Sequence, residues 1–259
     1  MSQPKFVQTA CMAAVITLGA LSSNAATVAH WNFDGGTAGT AFSAMPAVDN
    51  SGNNNTMFGW DPYWGPSYSA ATANGYGLSS RHDAFHQDGY SAGAPVNAWS
   101  PTTWTIELSV RLDSVGGWNT IIGRDNSSQG EPESDFYLQN NGIDDRFRLN
   151  FDTVGGQRYV LDSSFVALPN VWYGLAITSD GSAVNMFADQ SDGNGYQNVG
   201  SLALNGLNNN ALSQNNSVWT FGRGWYGGGF VDHISGNLDN IRFSDTVLTT
   251  AQLIPVPER

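Results

Sequence analysis

The stretch Trp104-Thr105-Ile106-Glu107-Leu108-Ser109-Val110-Arg111-Leu112 alternates apolar and polar residues without a break. Successive side chains of a strand point to opposite faces, so this is the pattern of a half-buried β-strand. Arg146-Phe147-Arg148-Leu149-Asn150-Phe151-Asp152 repeats it, and shorter matches run through Ala29/Trp31/Phe33, Tyr173/Leu175/Ile177, Val184/Met186/Ala188 and Ile241/Phe243. The alternation predicts that Ile106, Leu108, Val110, Phe147, Leu149 and Phe151 are buried. It predicts that Glu107, Ser109, Arg111 and Arg148 are exposed. Trp31, Trp104, Trp172 and Trp219 fall within such patterns and are expected in the core. No window sustains the three-four spacing of an amphipathic helix, and one helical turn is expected around Leu248 to Leu253.

Between the strands lie turn clusters: Asp34-Gly35-Gly36, Asn50-Ser51-Gly52, Gly155-Gly156, Ser179-Asp180-Gly181-Ser182 and Asp192-Gly193-Asn194-Gly195. Asp-Gly between two alternating runs is a hairpin signal, because glycine accepts the positive φ that tight turns need. Many short strands joined this way predict an all-β, antiparallel two-sheet sandwich. There is no internal repeat and no domain linker.

The first 25 residues stand apart. One cation, Lys5, precedes an apolar run from Phe6 to Ser22, and Ser23-Asn24-Ala25 places small residues before a cut. This is the layout of a secretory signal peptide, so the chain is expected to be exported, and residues 26–253 are expected to form one domain. The only cysteine, Cys11, and the only lysine lie in that leader, so the exported chain has no disulfide and no thiol nucleophile. Ten basic residues against 22 acidic ones give a net charge of −12. Such a surface repels nucleic acid and anionic membranes, and after Ser22 no apolar run approaches the roughly 20 residues of a membrane helix. Neutral ligands, or cations held by carboxylates, suit it better.

Several segments, in order, resemble laminin G-like (concanavalin A-like) jelly-roll domains of secreted bacterial proteins. They are Val28 to Gly35, Asp49 to Asn55, Trp104 to Val110, Asn119 to Asp125, Val171 to Gly181, and Gly236 to Phe243 with Leu248. The resemblance spans nearly the whole exported chain. It implies two packed antiparallel sheets, often a structural calcium ion, and frequently carbohydrate or glycoprotein binding. The end, Pro255-Val256-Pro257-Glu258-Arg259, resembles the opening of the Pro-Glu-Pro sorting signal (PEP-CTERM type) of some Gram-negative bacteria, in degenerate or truncated form. Residues 254–259 are therefore set apart as a tail.

Calcium takes oxygen ligands from Asp, Asn and backbone carbonyls. Asp34 follows the first strand, and Asp49 and Asn53 lie in a short polar loop. Asp239 shares parity with Ile241 and Phe243, which aims it at the core, where a carboxylate is costly unless paired or coordinated. Asp34, Asp49, Asn53 and Asp239 form the expected calcium site; the alternative is Asx turns and an arginine partner. Sugar sites use aromatic faces rimmed by polar groups. Trp60, Tyr63 and Trp64, with Trp225 and Tyr226, lie in Gly- and Pro-punctuated aromatic loops and are the expected ligand-binding residues; the alternative is that these rings cap the sandwich.

Catalytic signals are weak. Glycoside hydrolysis needs two facing carboxyls, and only Glu131 and Glu133 have a suitable spacing, in a segment that Pro132 and its surroundings mark as loop. His82 and His86 are four apart but lack a helical stripe and a neighbouring glutamate, so they are expected to be surface histidines. No Gly-x-Ser-x-Gly elbow is present. The sequence thus points to a lectin-like carbohydrate-binding module. The alternatives are a surface or matrix interaction protein without sugar affinity, and a glycan hydrolase or lyase.

Overall fold

The computed structural model describes residues 26–59, 65–73, 78–83, 89–91, 93–125, 134–206, 209–214 and 217–256. Among these, the strands of the first half are β1 (Thr27–Trp31), β2 (Phe58–Gly59), β3 (Ser67–Ser69), β4 (Ser79–His82), β5 (Gly89–Tyr90), β6 (Trp104–Leu112), β7 (Asn119–Arg124) and β8 (Phe136–Asn140). The second half adds β9 (Arg146–Asp152), β10 (Arg158–Val166), β11 (Trp172–Ser179), β12 (Ala183–Asp189), β13 (Gln197–Ala203), β14 (Trp219–Phe221), β15 (Gly224–Tyr226), β16 (Gly229–Val231) and β17 (Gly236–Ser244). Thr250–Gln252 forms the expected single turn, as a 3-10 helix, and Pro95–Ala98 forms another.

Every pairing is antiparallel, and the strands form two layers. One sheet runs β13-β12-β11-β6-β17-β4-β3, with β1 also paired to β17; the other runs β10-β9-β8-β7-β14-β5-β2. The hairpin β15–β16 lies outside both. This is the all-β two-sheet sandwich. Apolar residues of the two inner faces interdigitate: Trp219 of one sheet meets Phe243 of the other edge-on at 4.8 Å, and Trp104 reaches Phe136 and Phe151. Ile106, Leu108, Val110, Phe147, Leu149 and Phe151 are all buried, as the alternation predicts. The hairpins form where the Asp-Gly signal lies: Gly181 takes a φ of 85° between β11 and β12, and the Asp180 carboxylate accepts hydrogen bonds from the amides of Ser182 and Ala183.

Four expectations fail. Glu107 and Ser109 point away from the core, yet each is only 1 % exposed. The C-terminal segment, residues 246–256, lies across this outer face. Thr105 Oγ1 donates to Thr246 O, the Leu248 amide donates to Thr105 Oγ1, and the Ile254 amide donates to Glu107 Oε2. Leu248 and Leu253 pack on Ala176 between Phe187 and Tyr196. The tail as far as Val256 is thus part of the packed domain. Trp172 is half-buried, since β11 sends Tyr173, Leu175 and Ile177 inward and Trp172 opposite Arg111 on the outer face. His82 is fully buried rather than on the surface, within 2.7 Å of Ser80 Oγ.

The fourth failure is Asp239. β17 pairs Leu238 with Val110 and Asp239 with Ser109, but the register then slips, and Arg242 pairs with Glu107 and Phe243 with Ile106. Asn240, at a φ of 50°, is the bulged residue. A bulge adds one residue to one strand, so parity inverts across it. Asp239 therefore faces outward with Ser109, while Ile241 and Phe243 face inward. It is buried by the segment around Ala73, not by the core.

Candidate functional site

The seven-stranded sheet keeps its outer face partly open. Tyr137 pairs with Asn150, and Gln139 with Arg148, so these polar positions of β8 and β9 share that face. The hairpin β15–β16 leans over it. The Tyr137 hydroxyl donates to the carbonyl of Trp225, the Ser134 amide donates to the same oxygen at 2.9 Å, and the Thr120 amide donates to Asp232 O at 2.7 Å. Two glycines allow the approach. A Cβ on Gly123 would sit 2.8 Å from Arg223 O, and one on Gly224 would sit 2.7 Å from the Tyr137 ring. An ion pair holds the root of the hairpin, with Arg223 Nη1 2.8 Å from Asp125 Oδ2 and its guanidinium 3.9 Å above the Phe230 ring.

Between hairpin and sheet lies a cleft of about 380 Å³. Tyr137, Gln139 and Asn150 form its floor; Trp118 stands on one side, and Tyr226, Val231 and Asp232 stand on the hairpin side. Trp118 is 39 % exposed and Tyr226 56 %. Both rings offer apolar area to solvent. Trp118 is held from behind: the Arg148 guanidinium lies 5.7 Å from its ring, itself fixed by two bonds to Asp162 at 2.6 and 2.8 Å. Burial raises the pKa of the Asp232 carboxyl above the ordinary aspartate value, and among the described residues Asp232 has no ion-pair partner. Burial also raises the pKa of the Tyr137 phenol.

Tyr226, singled out from the sequence, thus lines the cleft. Trp225 is half-buried, with its ring against Phe230 at 5.5 Å. Trp60, Tyr63, Trp64, Glu131, Glu133 and His86 lie outside the described residues. Sequence reasoning missed Trp118, Tyr137, Gln139, Asn150 and Asp232. The one available signal was Gly116-Gly117-Trp118, an aromatic set at a turn.

The structure divides the four expected calcium ligands. Asp239 lies where β17 leaves β4 and joins β1, near enough to Asp34 for the Asp34 charge to act on it. Burial, with Asp34 adding to it, raises the pKa of Asp239 to about 7. Its oxygens accept from the amides of Ala73 and Asn240, and Asp34 Oδ1 accepts from the Leu78 amide. Asp49 is occupied otherwise. Its carboxylate accepts hydrogen bonds from the amides of His30, Ser51 and Asn55 and from the side chains of Ser51 and Asn55, which fixes the loop to β1. Asn53 donates to the carbonyls of Thr27 and Val28. Among the described residues no group of three or more His, Cys, Asp or Glu side chains is arranged to hold a metal.

Residues 85–254 match a laminin G-type family model described as the concanavalin A-like lectin/glucanases superfamily. No curated protein sequence matches the chain. Among solved structures it is similar to domain 4 of AbnA, an extracellular arabinanase from Geobacillus stearothermophilus, in complex with arabinotriose. That match has 18 % identity and a TM-score of 0.59, over 88 % of this chain and 96 % of that one. It is also similar to the binding domain of botulinum neurotoxin DC in complex with SialylT, at 12 % identity and a TM-score of 0.58, over 87 % of this chain and 49 % of that one. At these identities the likeness is one of fold.

Proposed function

The chain belongs to the concanavalin A-like lectin/glucanases superfamily, and on that premise we propose that it is a secreted carbohydrate-binding module whose sugar site is the cleft under β15–β16. The observation that carries this reading is the pair of exposed rings, Trp118 and Tyr226, set over a floor of Tyr137, Gln139 and Asn150. Sugar rings present C–H faces that cover aromatic surface and hydroxyls that take up fixed polar groups, and a concave site with few convergent polar groups is what such a ligand requires. The structural neighbour that carries arabinotriose supports the same reading. The leader-like pattern of the first 25 residues supports export, and among the described residues no helix is long and apolar enough to cross a membrane.

Binding is favoured over cleavage because the described lining of the cleft carries one carboxyl, Asp232, where glycoside hydrolysis takes two. Isothermal titration of the protein with oligosaccharides chosen from a glycan array tests the site. Trp118→Ala and Tyr226→Ala should each weaken binding about tenfold, which is about 1.4 kcal/mol. Unchanged affinity in both variants would remove the cleft from consideration.

We also propose a structural calcium ion at Asp34 and Asp239. A buried carboxyl within reach of a second carboxylate's charge holds its proton up to about pH 7 without a cation, and a divalent ion would supply the missing positive charge. The remaining ligands would be backbone carbonyls and water. Asp49 and Asn53 are left out, since their polar atoms already tie the loop to β1. Calcium at a hundredfold excess over its dissociation constant would add about 2.7 kcal/mol. A melting temperature equal in EDTA and in millimolar calcium would refute this site.

A further inference from the structure

We infer that the cleft selects uncharged, hydroxyl-bearing glycans and turns away acidic ones; this rests on the cleft being the sugar site.

Two groups that line the cleft, Tyr137 and Asp232, offer it acceptors, whereas the amides of Gln139 and Asn150 carry donors and acceptors alike and do not discriminate. The Tyr137 hydroxyl gives its proton to Trp225 O and accepts from the Ser134 amide, so toward the cleft only a lone pair remains. Asp232, when ionised, can only accept. A sugar hydroxyl can donate to each of these groups. A carboxylate can donate to none, and would leave them unpaired in a confined space, at a cost comparable to lost hydrogen bonds.

Charge acts in the same direction. Asp232 and Asp125 both lie near enough to the Tyr137 phenol to hold its proton more tightly. Arg223 offsets Asp125 and Arg148 is taken up by Asp162, which leaves the charge of Asp232 without an arginine partner among the described residues. The cleft therefore adds a local negative field to a chain of net charge −12. Asp232 is the group that sets it, because it is a lining carboxyl with no ion-pair partner among the described residues. Burial raises its pKa, so the field should weaken as the pH falls.

The experiment compares neutral and acidic probes on the full exported protein by isothermal titration. Arabinotriose, cellotriose and methyl-esterified trigalacturonate are the neutral set; free trigalacturonate and 3′-sialyllactose are the acidic set. The methyl ester and the free acid share one skeleton, so their difference reports charge. The expected result is at least tenfold tighter binding of the ester than of the acid, and at least one neutral probe that binds. Asp232→Asn keeps a residue tolerant of the left-handed backbone at this position, where φ is 56°. It should reduce the ester-to-acid ratio about tenfold. An acid bound as tightly as its ester, or a ratio that Asp232→Asn leaves unmoved, would overturn the inference while leaving the sugar site standing. Binding of none of the five probes would overturn both.

Discussion

The outer faces of the two sheets have met different fates. That of the eight-stranded sheet carries Thr105 and Glu107 on β6 and is roofed there by the chain's own C-terminal segment, which takes up their polar groups. That of the seven-stranded sheet carries Tyr137, Gln139 and Asn150 and is only partly covered by the hairpin β15–β16, which leaves a cleft with two exposed rings. Both faces are polar strands partly removed from water. Where the chain fills the space, the polar groups serve stability; where it stops short, they are left for something else to satisfy.

The largest expected effect tests the roofed face. Glu107 is buried and bound by Arg242 Nε at 2.6 Å, and Arg242 also reaches Gln252 O in the covering segment. Removing one partner strands the other charge, at about 3–5 kcal/mol for a buried pair. Because Arg242 retains some solvent contact, Glu107→Ala should fall near the lower end, read as a shift of the denaturant midpoint. A loss under about 1 kcal/mol would mean that the roof is loosely held and that the two faces differ less than the hydrogen bonds indicate.

Gly224→Ala tests the other face. Its Cβ would press on the Tyr137 ring and on Thr120 Oγ1, and overpacking of this kind costs about 1–3 kcal/mol. The hairpin should lift, so glycan affinity should fall more than the midpoint does. Equal losses of affinity and stability would indicate that the cleft does not depend on how closely the hairpin approaches.

A smaller effect separates the paired acid of one sheet from a poorly compensated acid of the other. Asp135, just before β8, is 3 % exposed, and burial raises its pKa to about 7 although Arg124 pulls it down. An unfolded aspartate loses its proton near pH 3.9. Between these values the native state binds more protons, so this group makes stability fall as the pH rises from about 4 to about 7, with no further change above. Asp135→Asn should flatten that part of the profile and raise the melting temperature at pH 8 by a few degrees, at roughly 2–4 °C per kcal/mol for a domain of this size. An unchanged profile from pH 4 to 8 would show that Asp135 does not hold its proton.

The sheets themselves are legible because alternation is local. Trp104 to Leu112 and Arg146 to Asp152 carry their inward and outward sides in the order of their residues, and Asp180-Gly181 carries its own turn. So the sequence alone determined the two-layer antiparallel sandwich, its buried apolar rows and its hairpins. It did not determine what covers the outward sides, because burial there depends on segments far away in the chain: Ile254 meets Glu107, Ala73 meets Asp239, and Trp225 meets Tyr137. Nor could parity survive Asn240, where one extra residue turns Asp239 from the core side to the outer side and toward Asp34. Trp118 and Tyr226, more than a hundred residues apart, share a cleft only because the hairpin folds back over β7 and β8. The period of a strand is set by neighbouring residues, whereas the roof over a sheet and the walls of a cleft are set by long-range contacts that only the folded chain brings together.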